Sequence, residues 1–261
     1  MQMKYNYHTH TYRCLHALGT DEDYVKAAIS AGITELGFSD HMPWPKVKGE
    51  SQHIRMNVKW LDDYVKSIRK LQDKYKDKIT IYIGFEAEYY KDRMNWLYEV
   101  KEKYDIDYFI LGNHFYVKEN WDTYFGSFSD KENLCKYYYE TSEEALRTGL
   151  YSYFAHPDIF LNGEEVSGEF EEAAYKICKL CKELDIPLEY NLEGKRSKRP
   201  LKYPRNEFWE IASKVGNRVI IGGDFHSPFT LKKNEYYNSS YEYLKSLGLE
   251  IIEKLNLDLD K

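Results

Sequence analysis

Seven short runs rich in β-branched and aromatic residues recur along the chain: KYNYH, TELGFSDH, ITIYIGFEAEY, YDIDYFILGNH, YSYFAHPD, IPLEYNLE and RVIIGGDFH. Segments with the 3.6-residue apolar period of helices lie between and after them. The clearest are DEDYVKAAISAG, with an acidic first turn and a Gly stop, NVKWLDDYVKSIRKLQDKY, KENLCKYYYETSEEALRTG, EFEEAAYKICKLCKEL and the final NSSYEYLKSLGLEIIEKL. Strand followed by helix, repeated about seven times, calls for parallel strands covered by helices. An α/β barrel occupies about 250 residues, and no repeat, Ser/Gly linker or low-complexity tract divides the 261 residues present. One domain over residues 1–261 is therefore expected. MPWPKVKGESQHIRMN, residues 42–57, breaks the alternation with two prolines and reads as a long loop, either a cover over an active site or a plain surface excursion.

Charge and cysteine content narrow the function. With 37 basic and 43 acidic side chains the formal charge is −6, which gives no clustered Lys/Arg footprint for a polyanion and argues against nucleic acid as the partner. A small anion drawn to a local cationic site remains compatible. No apolar run is long enough to span a bilayer, and MQMKYNYHTH holds neither a signal-peptide core nor a lipidation motif, so a cytoplasmic protein is expected. Cys14, Cys135, Cys178 and Cys181 form no disulfide framework. The CxxC of Cys178 and Cys181 falls inside a helical pattern and reads as a buried pair. Cys14, among the histidines, reads as a small buried thiol that could approach a metal.

The polar residues at the strand ends carry the chemistry. The first run leads into His8 and His10, with His16 just beyond. The second ends in Asp40 and His41, the third carries Glu86 and Glu88, the fourth ends in His114, the fifth in His156, and the seventh in Asp224 and His226. In a parallel barrel these ends open on one face and converge on one pocket. Any one histidine reads equally well as an ordinary hydrogen-bonded residue. Seven of the eight, all but His53, at the same end of successive strands are harder to explain by packing, because clustered imidazoles repel when protonated and metals bind the neutral form. Imidazole and carboxylate donors suit zinc, manganese or iron, and the shortage of thiolates argues against a structural zinc finger. His8 and His10, two residues apart on an extended segment, point the same way and can grip one ion.

The motifs HTHTYRCLH, GFSDHMPWP, GFEAEY, GNH, AHPD and GGDFH, in this order between residues 8 and 226, resemble those of the PHP (polymerase and histidinol phosphatase) superfamily, most closely its stand-alone histidinol-phosphatase branch. The resemblance implies a distorted, TIM-like (β/α)7 barrel with its active site at the C-terminal strand ends and three divalent metal ions. It would place His8, His10, Glu86 and Asp224 around a first ion, Glu86, His114 and His156 around a second, and His16, His41 and His226 around a third. Glu86 is preferred to Glu88 as the shared ligand because it follows the Gly-x-Glu pattern. Glu88 is left to support a ligand, face the substrate or be solvated, and Asp40 and Asp158 to structural or supporting roles.

Three divalent ions bring about six positive charges, and two carboxylates with one hydroxide remove about half, so the pocket would be cationic and suited to a phosphate monoester dianion. The expected activity is hydrolysis of L-histidinol phosphate, a step of histidine biosynthesis, by a metal-bridging hydroxide. Asp224, His226 or a water on the third ion would protonate the leaving alkoxide, and Glu86 would complete the catalytic set. Arg196 and Arg199, in NLEGKRSKRP after the sixth strand, could fork onto the phosphate or form a solvated basic loop. Glu88, Asn191, Glu193, Tyr116, Phe115 and Trp44 are candidates for the rest of the substrate. The alternatives are another phosphatase of the superfamily, such as a phosphotyrosine phosphatase, then an exonuclease, then a non-catalytic metal-binding protein.

Overall fold

The computed structural model describes residues 2–50, 52–196, 203–232 and 234–257. Eight parallel strands hydrogen-bond in chain order. They are β1 (Tyr5–Asn6), β2 (Glu35–His41), β3 (Thr80–Ala87), β4 (Tyr108–Leu111), β5 (Tyr151–Phe154), β6 (Leu188–Asn191), β7 (Arg218–Gly222) and β8 (Glu250–Ile251). The helices are α1 (Asp21–Ser30), α2 (Leu61–Tyr75), α3 (Met94–Tyr104), α4 (Leu134–Leu146), α5 (Glu169–Glu183), the short α6 (Leu192–Arg196), α7 (Asn206–Val215) and α8 (Asn234–Ser246). None is long and apolar enough to cross a membrane among the described residues.

The seven expected strands are present, and the sheet curls until its ends meet only on one side. Past β1, His10 N donates to Phe225 O at 3.0 Å and Phe225 N donates to His8 O at 3.2 Å, so the chain beyond β7 pairs with the chain beyond β1. At the opposite end β8 occupies that place beside β7, through Arg218↔Glu250 and Val219↔Ile251. The barrel is thus closed at the C-terminal strand ends and plugged at the other, where Leu255 and Leu257 pack against Tyr7, Tyr82, Tyr108, Tyr153 and Ile220. The second and larger apolar layer, with Leu36, Phe38, Ile83, Phe85, Phe109, Phe154 and Ile221, lies between strands and helices.

The two-residue period of a strand turns this layering into a site. Along β3, Ile81, Ile83 and Phe85 belong to the outer layer and Tyr82 to the plug, so Glu86 continues the inward-facing series Tyr82 and Gly84. The acid at the last inward position faces the open end of the barrel.

One local reading changes. The final helix stops at Ser246, nine residues short of the Leu255 that ends its periodic pattern, because Gly248 takes φ +74° and the β-branched Ile251 and Ile252 that follow join the sheet edge instead. Helices α3 and α7, built on WLYEVKEKY and EFWEIASKV, complete the strand–helix alternation beside the five helical patterns named above. Cys178 and Cys181 are free, buried thiols of α5, as expected for a helical pair.

Candidate metal centre

The nine residues proposed from the strand ends come together at the closed end of the barrel. Glu86 is at the centre. Its Oε1 lies 2.7 Å from His156 Nε2 and 3.0 Å from His114 Nε2. Its Oε2 lies 2.9 Å from His41 Nδ1, 3.5 Å from His10 Nε2 and 3.6 Å from His8 Nε2. Asp224 Oδ1 faces the same group from the other side, 3.1 Å from His10 Nε2, 3.6 Å from His8 Nε2 and 3.3 Å from His226 Nδ1. His16 joins at the rim, its ring stacked on His226 with centroids 4.6 Å apart and on His41 at 5.5 Å.

Space and backbone have been shaped for this convergence. A Cβ at Gly112 would collide with the Glu86 carboxylate, so only glycine lets that side chain lie across β4. His156 and Asp224 both adopt positive φ, +31° and +48°, a region that non-glycine residues occupy at a cost and that gathers at functional sites. In each case a strand has just ended and the turn aims the side chain back over the barrel mouth.

These contacts mostly lack the alignment of hydrogen bonds. His8 Nε2, both ring nitrogens of His10, His41 Nδ1, His226 Nε2, Glu86 Oε2 and Asp224 Oδ1 are all buried without a hydrogen-bond partner. Unpaired polar atoms are rare in interiors because each one costs the desolvation of a donor or acceptor. Two ligands each about 2.1 Å from one tetrahedral ion lie about 3.4 Å apart. The separations of 3.1–3.6 Å among His8, His10, Glu86 and Asp224 bracket that value, whereas the 2.7 Å between Glu86 and His156 is a plain hydrogen bond. Donor atoms of His8, His10 and Glu86, of His41, Glu86 and His114, and of His16, His41 and His226 each lie within 4.8 Å of one another. Cys14 makes a similar group with His10 and His226, although burial pushes its thiol pKa up and so disfavours the thiolate that a metal needs.

Electrostatics divides the imidazoles. Burial opposes protonation of His8 and His114, but carboxylates outweigh it, chiefly Glu189 for the first and Glu86 for the second, and their pKa values rise to about 10 and about 9. His16, His41 and His226 shift downward, first through burial and, at His16 and His226, next through the charge of His10. These three are neutral near pH 7 and keep a lone pair free. Burial raises the pKa of Glu86 and of Asp224, yet the surrounding imidazoles hold both well below the usual carboxylate range.

Behind the rings lies a set of carboxylates, one of which the sequence reading did not single out. Glu189 of β6 is fully buried, and its Oε1 lies 2.7 Å from His8 Nδ1. An ionised carboxylate only accepts, so Nδ1 keeps its hydrogen and Nε2 is the nitrogen that would lose its proton and turn a lone pair to an ion. Oε2 of Glu189 accepts from His156 N at 3.1 Å and Asn191 Nδ2 at 2.8 Å, and Asn191 also donates to Asp224 Oδ2 at 3.0 Å. The available signal was a glutamate inside the apolar run IPLEYNLE. Asp40 plays the supporting role expected of it, accepting from Thr11 N at 3.2 Å and lying 3.6 Å from His10 Nδ1.

Two substrate assignments shift. Glu88 does not face the cavity: it is buried, accepts from Arg55 Nη1 and Nη2 at 2.9 and 2.7 Å and from Trp44 Nε1 at 3.0 Å, and lies 3.1 Å from His114 Nδ1. It orients His114 instead. Arg196 turns away as well, because Nη2 is shared among Glu193 Oε2, Gly223 O and Asp224 O, and the guanidinium lies over the Phe225 ring. It braces the turn that carries Asp224. Arg199 lies outside the described residues. His53 is exposed and away from the group, while its neighbours Ile54 and Arg55 reach the cavity and the interior.

The cavity above the imidazoles measures about 440 Å³. Besides the candidate ligands, Ile54, Phe115, Trp121, Tyr124, Ile159, Glu193 and Tyr203 line it.

A parallel barrel with such a donor cluster at its C-terminal strand ends defines a metal-binding α/β barrel. Residues 6–193 match the PHP domain family, and the chain belongs to that family. It is 26% identical to a probable histidinol-phosphatase of Deinococcus radiodurans over 85% of each chain. A probable histidinol-phosphatase of Schizosaccharomyces pombe is also 26% identical, over 93% of this chain and 86% of that one. The fold matches a solved histidinol phosphate phosphatase of Lactococcus lactis, complexed with zinc, L-histidinol and phosphate, at TM-score 0.69 and 19% identity, over 98% of this chain and all of that one.

Proposed function

We propose that this protein is a metal-dependent phosphomonoesterase that hydrolyses L-histidinol phosphate to L-histidinol and phosphate. The observation that carries the reading is the convergence of Glu86 and Asp224 with seven imidazoles, among which His8 Nε2, His10 Nε2, His41 Nδ1 and His226 Nε2 are buried without a hydrogen-bond partner. The names of the curated relatives and the ligands of the Lactococcus lactis structure support the choice of substrate. The whole chain is read as one catalytic unit, since the sheet runs unbroken from β1 to β8 and its two ends meet under the site.

Three ions would be held by His8, His10, Glu86 and Asp224, by Glu86, His114 and His156, and by His16, His41 and His226. When bound, they supply an activated water and Lewis-acid stabilisation of phosphoryl oxygens. The chain's own residues do the rest. Glu86 holds the first two sets together, and its low pKa keeps it an anion. Glu189 and Glu88 fix the tautomers of His8 and His114, so that Nε2 faces the centre in each. Asp224, kept an anion, and His226, kept neutral, lie 3.3 Å apart at the cavity, where they would orient the water that gives the leaving alkoxide its proton.

A panel of phosphomonoesters assayed with zinc-loaded protein tests the reading. L-histidinol phosphate should give the highest kcat/KM. A preference for phosphotyrosine would move the protein to another phosphatase activity, and nucleotide release from single-stranded DNA would move it to the exonucleases.

A further inference from the structure

The candidate ligands account for the phosphate, but the aromatic residues lining the same cavity have had no specific role. Trp121 is the conspicuous member. It lines the cavity and is 50% exposed, whereas Phe115 behind it is 1% exposed. A large ring left open on a concave wall offers a flat apolar face to whatever enters.

That ring is part of an aromatic cluster on a hairpin. Phe115, Trp121 and Tyr124 pack as a cluster, with Trp121 edge-on to Phe115 at 5.7 Å and to Tyr124 at 5.6 Å, and Phe115 and Tyr124 5.4 Å apart. The segment between them is a hairpin closed by an antiparallel bridge at Phe115↔Tyr124 and by the hydrogen bonds Tyr116 N to Thr123 O at 3.0 Å and Phe125 N to His114 O at 2.7 Å. Glu119, near its tip, ion-pairs with the buried Arg55. The base of the hairpin is His114, a candidate ligand, so the indole stands at a set distance from the phosphate end of the site.

We propose that Trp121 is a specificity-determining residue that stacks on a planar ring in the leaving group, so the protein selects ring-bearing over ringless alkyl phosphates. The inference rests on the phosphomonoesterase reading and deepens it, but it does not depend on which ring-bearing ester is the natural substrate. Trp121 takes no part in bond breaking. Its contribution enters through binding, and KM should carry it.

The test compares benzyl phosphate with glycerol phosphate, and L-histidinol phosphate with glycerol phosphate, in zinc-loaded wild-type protein, Trp121→Leu and Trp121→Phe. In Trp121→Leu the ring-to-ringless ratio of kcat/KM should fall about five-fold, mostly through KM, and Trp121→Phe should restore most of it. A merely structural defect lowers both substrates together and leaves the ratio unchanged, which would overturn the inference, as would Trp121→Phe behaving like Trp121→Leu. Calorimetric binding of benzylphosphonate and methylphosphonate gives the same ratio without turnover. Protein that releases no phosphate yet shows the Trp121-dependent ratio would refute the hydrolase reading alone; turnover with an unchanged ratio would refute the stacking alone.

Discussion

Replacing Glu189 with glutamine should weaken metal binding about 10- to 100-fold, the range for losing a group that orients a ligand histidine, or about 1.4–2.7 kcal/mol. The structure shows why an isosteric change does so much. Glu189 receives three donors: His8 Nδ1 on one oxygen, His156 N and Asn191 Nδ2 on the other. A glutamine that keeps its oxygen toward the latter pair turns its NH2 toward His8 Nδ1. That nitrogen must then accept, so the proton moves to Nε2 and removes the lone pair facing Glu86 and Asp224. The opposite orientation sets an NH2 group against two donors at 2.8–3.1 Å. A zinc titration against a chromophoric chelator reads the change, with circular dichroism as the check on folding. Affinity within two-fold of wild type would refute the claim that Glu189 sets the His8 tautomer for a metal.

Arg55→Met should lower stability by about 3–5 kcal/mol, because it removes the guanidinium shared by the buried Glu88 and Glu119, leaving Glu119 without a counter-charge and Glu88 with only His114, and calorimetry should show a fall in Tm on the order of 10 °C. Adding Glu88→Gln and Glu119→Gln to that variant should recover part of the loss. Zinc affinity of metal-free protein should rise with pH up to about 9–10. His8 and His114 have pKa values raised to about 10 and about 9, so both hold protons at neutral pH that an incoming ion must displace. His16, His41 and His226 are shifted down and release none there. Titrations in two buffers of different ionisation enthalpy count the protons, and a pH-independent affinity would contradict the assignment. Asp224→Asn should reduce metal content and kcat together, and by more than Glu189→Gln does, since Asp224 Oδ1 lies within 3.6 Å of three imidazoles.

The strand–helix alternation and the polar residues at the strand ends were legible because each depends on local pattern, whereas the barrel and the grouping of those residues around ions were implied by the family resemblance. Strand period, helix period and a His or carboxylate at the strand end can all be read within about ten residues. Glu189, by contrast, gains its meaning from His8, 181 residues away in sequence, and no spacing rule links them. Glu88 shows the same difficulty in reverse. Its position beside Glu86 suggested a cavity-facing acid, but Arg55, from a loop with no readable structure, claims both oxygens. Arg196 looked free in a basic stretch until the turn after β7 brought two carbonyls to it. The end of the last helix was misjudged because Leu249, Ile251 and Ile252 fit a helical period as well as a strand, and the sheet edge beside β7 decided the matter.

The central claim is that the imidazoles and carboxylates at the strand ends hold the ions on which hydrolysis depends. Metal content by elemental analysis and phosphate release from L-histidinol phosphate, followed on one sample through chelation and zinc restoration, test it most directly. The two should fall together and return together. Metal-free protein that hydrolyses the ester at the full rate would contradict the account.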